Sequence, residues 1–333
     1  MSEQLVATLT QQFFNALTIG GIYALIALGY TMVYGIIQLI NFAHGEVVMI
    51  GAMVAFTVIN ALVPAGLPPV AIVLIGAGCA VPVCMLVGYG MERLAYRPLR
   101  HAPRLAPLIT AIGVSIILQH LALLIWSRNI LAFPQIIPSR TYLIGGAAIT
   151  TIQIAILAIC FGLMAALAIL VYRTRLGTAM RATAQNAQVA GLMGIDINRV
   201  IAATFVIGAG LGAVAGVLYG SYYGIAQYTM GSILGLKAFS AAVLGGIGNI
   251  PGAMLGGVLL GIVEALGAGY IGDFTDLCAY SILAGALGER CADGGQFILA
   301  GSNYQDVFAF LVLILVLVFR PSGLLGERVG ERA

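Results

Sequence analysis

Asn41, His44 and Glu46 stand within six positions of one another in "INFAHGEVVMIGAM" (40–53), a polar cluster set between two apolar stretches. An amide, an imidazole and a carboxyl at that spacing offer hydrogen-bond donors and acceptors to a polar solute. A second interruption, "GGIGNIPGAMLGG" (245–257), carries Gly248, Asn249, Pro251 and Gly252. Pro251 has no backbone N–H to give, and the glycines favour turn geometry over helix. Both breaks end in a small-residue helix start, Gly45 in one and Gly252 in the other. Farther on, Glu264 lies in the apolar "GIVEAL". An ionisable group at membrane depth costs at least ~2.5–3.5 kcal/mol unless it faces protein or water. With Tyr270 only six residues away, snorkelling to the interface is the alternative. Broken helices in the two halves of a transporter mark the substrate route, because freed amides and carbonyls are buried only against protein or a water-filled cavity. The plainer reading makes each break a loop at the membrane surface, with Asn249 and Pro251 forming a turn. The residues themselves leave both readings open.

The surroundings of these groups are set by composition. With 61% hydrophobic residues, 8% charged residues and a mean hydropathy of +1.06, the chain lies far from the soluble norm of roughly 45–50% apolar and ~25% charged. It reads as an all-α, polytopic helical membrane protein. Windows near the ~20 residues needed to cross hydrocarbon fall at 13–38, 47–63, 69–91, 105–126, 150–172, 200–222, 233–249, 252–271 and 304–319. Three of them are short, so the count is about 8–9 spans, with broken or re-entrant segments near 40–46 and 245–252. No cleavable signal peptide is apparent at the start. The whole chain, 1–333, reads as a single membrane domain, since no polar linker is long enough to separate two.

Arginine placement orients it. Arg93, Arg97, Arg100 and Arg104 crowd one loop, Arg173, Arg175, Arg181 and Arg199 another, and Arg320, Arg328 and Arg332 the tail. The positive-inside rule makes these loops and the C-terminus cytoplasmic. The segment 272–303, with Asp273, Asp276, Glu289 and Asp293 against one Arg290, then falls outside the cytoplasm. A break inside the membrane within 13–63 would move the N-terminus from the outer side to the inner one.

Several functions are excluded by what is missing. Lys237 is the only lysine, so the chain contains no Gly-Lys-Ser/Thr phosphate loop, and a nucleotide that drives transport must bind another polypeptide. HExxH and GxSxG motifs are absent as well. The arginines are spread over separate loops, which gives no basic face for nucleic acid. The 44 glycines include Gly208, Gly212 and Gly216 at four-residue spacing and Gly252, Gly256, Gly257 and Gly261, a pattern that lets helices pack closely in lipid.

The 173–199 segment, "RTRLGTAMRATAQNAQVAGLMGIDINR", is polar, basic and alanine-rich. Ala182, Ala184, Ala187 and Ala190 support a short helix, and Gly191 and Gly194 can end it. Such a helix suits a groove on another protein, or is a solvated connector.

With these segments in hand, the chain resembles the membrane permease subunits of branched-chain amino-acid ATP-binding-cassette importers. The resemblance runs through "GGIYALIALGYTMVYGIIQLINFAHGEVVMIGA" (20–52), "ERLAYRPLR" (92–100), "GTAMRATAQNAQVAGLMGIDINRVIAATFVIGA" (177–209), "KAFSAAVLGGIGNIPGAMLGG" (237–257) and "RPSGLLG" (320–326). Within the family it is most similar to the first of the two paired permeases. The resemblance implies a bacterial inner-membrane subunit for leucine, isoleucine and valine, and a periplasmic binding protein that delivers them. It also implies a second permease and two cytoplasmic ATPases that hold the ATP and Mg. No cofactor is expected in this chain. The 173–199 loop would be the coupling helix, with Arg181, Ala182, Ala190, Gly191, Gly194 and Ile195 as contacts to the ATPase. A zwitterionic substrate needs amides for its carboxylate and acceptors for its ammonium. Asn41, His44, Gly45, Glu46, Gly248, Asn249, Gly252 and Glu264 are therefore the candidate path. A permease of the same family for urea, short amides or another amino acid is the alternative, and a self-sufficient secondary transporter or channel is a third reading.

One departure from the family is "DFTDLCAYSILAGALGERCADGGQFILAGSNYQD" (273–306), which reads as an extra extracytoplasmic hairpin or helix. It holds Cys278 and Cys291, on the side where disulfides persist. A bridge between them would close a loop of about 14 residues, worth roughly 3 kcal/mol. Cys79, Cys84 and Cys160 fall in spans and read as small packing residues.

Overall fold

Apolar runs of twenty residues and more leave the backbone no partner but itself, and helices are the outcome. The computed structural model describes residues 2–100, 102–103, 105–144, 146–275 and 305–326. Eleven α-helices are described: α1 (Ser2–Ile37), α2 (His44–Leu62), α3 (Pro69–Gly90), α4 (Leu105–Trp126), α5 (Thr151–Arg173), α6 (Arg175–Gln185), α7 (Ala187–Leu192), α8 (Ile197–Tyr223), α9 (Met230–Gly245), α10 (Ile250–Thr275) and α11 (Gln305–Phe319). Seven helices among the described residues are long and apolar enough to cross a membrane, with α9 and α11 shorter. Four short strands complete the fold: β1 (Leu131–Ala132), β2 (Thr141–Ile144), β3 (Ala147–Thr150) and β4 (Ile225–Ala226). β2 and β3 form an antiparallel hairpin, and β1 pairs with β4.

Polar contacts sort the helix ends onto two sides. Asn15 on α1 accepts a bond from Gln153 at the start of α5 (3.0 Å), and Gln11 accepts one from the Ala148 amide in the hairpin (2.7 Å). On the other side Arg100, after α3, donates to Asn198 at the start of α8 (2.6 Å) and pairs with the buried Glu92. The first two arginine clusters therefore share one end. The C-terminal tail joins them through the turn between α9 and α10, where the Leu324 and Leu325 amides bond the Leu244 and Gly245 carbonyls. From Gln11 to Ile37, α1 rises ~39 Å at 1.5 Å per residue, more than the ~30 Å hydrocarbon thickness. It crosses completely, so the N-terminus lies at the end opposite the arginines.

The core consists of α1, α2, α8, α9 and α10, whose residues 22–28 and 47–53 are almost all buried. Glycine permits this closeness. A methyl group on Gly216 of α8 would overlap the Val48 carbonyl of α2, and one on Gly257 of α10 would overlap the α1 backbone at Ala24. The glycine stripes thus serve helix packing. Gly216→Ala is expected to cost about 1–3 kcal/mol of overpacking, seen as a lower thermal midpoint of the purified protein. Gly78→Ala, on the open face of α3, should leave the midpoint unchanged or raise it.

Three sequence expectations need correction. Residues 44–46 belong to the first turn of α2 and not to the break before it, which spans only 38–43. The polar loop forms two helices where one was expected. Asn186 ends α6 and caps α7 by accepting the Gln188 and Val189 amides (3.0 Å each). Gly191 lies inside α7, and it is Gly194, at φ 84°, that turns the chain, with the Ile195 amide bonded to the Ala190 carbonyl. α10 also runs on to Thr275, four residues past the end of its apolar window. Most of the 273–306 insertion, with Cys278 and Cys291, lies outside the described residues. Cys79, Cys84 and Cys160 are free thiols.

Candidate translocation site

Two helices begin at membrane depth, and the site lies where they meet. The His44 ring, in the first turn of α2, sits against Gly29 of α1 and beside Gly212 of α8. Gly29 is eight residues short of the end of α1, which places the start of α2 ~12 Å inward from that end. Residues 38–43 therefore fold back into the protein. Two residues on, Glu46 accepts a bond from Ser115 (3.1 Å), which stands at the middle of α4. α9 starts at the same level. Its Ser232 donates to the same oxygen, Glu46 Oε1 (2.9 Å), and a Cβ on its Gly231 would come within 2.5 Å of Glu46 Oε2.

The path to α9 was missed in the sequence. α8 ends at Gly224 (φ 70°), whose carbonyl bonds the Phe133 amide at the hairpin end. Residues 224–229 then descend to the level of Glu46. The second re-entrant segment is this one, and not 245–252. A helix signal broken by "YYGIAQYTMG" was its only trace. The 245–252 segment is a turn at the arginine-rich end, held by positive φ at Gly246 and Gly248. There Asn249 caps α10 by accepting the Gly252 amide (3.0 Å) and donates to the Leu325 carbonyl (2.8 Å). Gly248 faces Gly35 at the end of α1.

The candidate residues consequently separate. Asn41 is buried and committed, its Oδ1 accepting the Ala43 amide (3.1 Å) and the Tyr96 hydroxyl (2.9 Å). His44 is buried edge-on to Tyr30, with no partner for Nε2. Gly45 lies against Gly231 and Gly235 of α9, which lets α2 and α9 touch. Glu46 is fully buried in this chain; Ser115 and Ser232 hold one of its oxygens and the other has no partner. Outward of it, Gln119 of α4 donates to Ser232 (3.4 Å), and farther along Trp126 donates to Thr57 of α2 (2.7 Å). The result is a polar seam between α2, α4 and α9 that runs from the middle of α4 to its C-terminal end.

Glu264 does not snorkel. It is 2% exposed and accepts bonds from Lys237 of α9 (2.8 Å) and from Tyr23 of α1 (3.1 Å). Lys237 also lies 2.6 Å from Asp306 at the start of α11. The chain's one lysine was passed over as a functional residue, although a lone lysine in an apolar helix is itself a signal for a buried partner.

In the 173–199 loop, Arg181 turns inward, bonding the Val171 carbonyl at the end of α5 and lying 5.7 Å over the Tyr172 ring. Ala190 is buried, which removes its side chain from any docking surface, while Ala182 and Ile195 are half-buried. The predicted contacts Gly191 and Gly194 are exposed, and they form a crest with Val189 and the pair between them, Leu192 and Met193, 86% and 79% exposed. An apolar pair between two glycines of a polar loop was the available clue.

Comparison with known proteins decides the family. The model of the branched-chain amino acid transport system permease component matches residues 12–317. The chain belongs to this permease family. It is 47% identical to BraD of Pseudomonas aeruginosa over 327 residues, with 97% of each protein covered. It is 45% identical to LivH of Escherichia coli K12 and 44% identical to LivH of Salmonella typhimurium, each over 339 residues and the full length of both proteins. All three are described as high-affinity branched-chain amino acid transport system permease proteins. No solved structure matches the chain.

Proposed function

We propose that this permease forms one side of the path by which branched-chain amino acids enter a bacterial cell, driven by ATP on separate subunits. The full-length identity to BraD and LivH carries this reading. The polar seam agrees with it, because Ser115, Gln119 and Ser232 at mid-membrane would be costly against lipid and suit a water-filled path shared with a second permease subunit. The arginine-rich end, with the tail, faces the cytoplasm of an inner-membrane protein under the positive-inside rule. The hairpin end faces a periplasmic binding protein. Two ATPase subunits, with their ATP and Mg, dock at α6 and α7.

The test is uptake of labelled leucine into proteoliposomes that hold the purified complex, with binding protein outside and ATP sealed inside. Uptake is expected to require ATP and to be suppressed by unlabelled isoleucine and valine. Leucine uptake without ATP would overturn the ATP-driven reading, and suppression by urea in place of these amino acids would move the chain to another substrate class of the family.

A further inference from the structure

Glu46 has one oxygen fully used and one idle, and the surroundings say what the idle one is for. Oε1 takes hydrogen bonds from two serines on different helices, Ser115 and Ser232. Oε2 has no partner at all, although the residue is fully buried. Leaving a buried polar atom unpaired costs about 1–3 kcal/mol, and while Glu264, whose Oε2 is also unpaired, has Lys237 against its other oxygen, Glu46 has no cation among its hydrogen-bond partners. Oε2 faces the first turn of α9, where only a hydrogen on Gly231 leaves it room. That turn has no side-chain cap, since Thr229 makes no capping bond. A helix start supplies free amides and the positive end of the dipole. The Met230 amide is taken by the Gln227 carbonyl (3.2 Å), and no side chain caps the amides that follow it, so an acceptor without a donor stands beside a helix start with amides to give.

We infer that Glu46 Oε2 and the first-turn amides of α9 form the subsite that reads the zwitterion of the transported amino acid, the carboxyl oxygen taking its ammonium and the amides its carboxylate. The inference rests on the reading of this chain as an amino-acid permease. The structure holds the subsite closed: the Gln119–Ser232 bond ties α4 to α9 across it. Opening means parting α4 from α9, which breaks this long bond and exposes Glu46 to the path. These groups bind only the ammonium and the carboxylate, so the subsite accepts the shared α-amino-acid backbone and leaves the choice among aliphatic side chains to other parts of the system.

The experiment uses the complete complex in proteoliposomes and measures leucine uptake beside the ATPase activity stimulated by leucine-loaded binding protein. Glu46→Gln is expected to lower uptake about tenfold or more while stimulated ATPase persists, and Glu46→Asp is expected to recover part of the uptake. Wild-type uptake rates in Glu46→Gln would overturn the inference, and so would parallel loss of uptake and ATPase, which is the mark of a purely structural role. A second variant, Ser232→Cys, should react with a water-borne cationic thiosulfonate during turnover and more slowly when leucine is abundant. A cysteine that stays unreactive throughout turnover would also overturn it. Failure of the unmodified complex to import leucine at all would strike at the transport reading, separately from Glu46.

Discussion

Lys237→Met is expected to be the most damaging single substitution in the chain. Lys237 is 6% exposed, and its Nζ lies 2.8 Å from Glu264 Oε1, 2.6 Å from Asp306 Oδ1 and 3.3 Å from the Tyr23 hydroxyl. These contacts tie α9 to α10, α11 and α1. Removing one partner of a buried pair costs about 3–5 kcal/mol, because the partner left behind keeps its desolvation penalty. That is a large share of the 5–15 kcal/mol that typically separates folded from unfolded protein. Lys237→Met should therefore lower the thermal midpoint sharply or abolish the monodisperse peak on size exclusion in detergent. The neutral triple variant, Lys237→Met with Glu264→Gln and Asp306→Asn, should recover much of the loss, since replacing a whole buried ion cluster is often close to neutral. Single and triple variants with the same midpoint would sink the argument. Asp306→Asn alone should be mild, because that carboxylate is 43% exposed and Glu264 keeps its lysine.

This cluster shows where sequence reasoning stops. Spans were legible because lipid dictates length and apolarity residue by residue: Leu105–Trp126 follows the apolar window without adjustment, and α3 and α5 end within one residue of theirs. Helix starts rich in polar groups were not, since His44 and Glu46 count against a span by composition while packing keeps them helical. The Lys237–Glu264 contact joins two helices between residues 27 apart in sequence, and no local pattern encodes it. The re-entrant approach to α9 is a matter of depth, which hydropathy windows do not measure. Of the candidate path, His44, Glu46 and Glu264 each keep an unpaired side-chain atom, and that of Glu46 faces the first turn of α9. Asn41, Asn249 and Gly252 proved to be occupied in caps and turns, the commonest uses of such residues at helix starts.

The second large effect is expected at the exposed crest of the 173–199 loop. Leu192 and Met193 stand between Gly191 and Gly194 at the end of α7, the two most exposed large apolar side chains of the loop. The crest is held out rigidly. Thr174 caps α6 by accepting the Gly177 amide, Asn186 caps α7, and Asp196 caps α8 by accepting the Arg199 amide. Arg181, turned back onto the carbonyl end of α5, braces the loop. On the proposed reading these two exposed apolar side chains enter a groove of the ATPase, and a central apolar anchor carries much of such an interface. Replacing both by Asp should lower leucine uptake by about a hundredfold through lost ATPase association, read as loss of the ATPase from the affinity-purified complex. The thermal midpoint of the permease itself should be unchanged, because neither side chain is packed against the fold. Arg181→Glu should do the reverse: it should loosen α6 from α5 and lower the midpoint before it affects docking. If the double Asp variant retains the ATPase and transports normally, the crest is a solvated connector and the coupling contact lies elsewhere on the arginine-rich end.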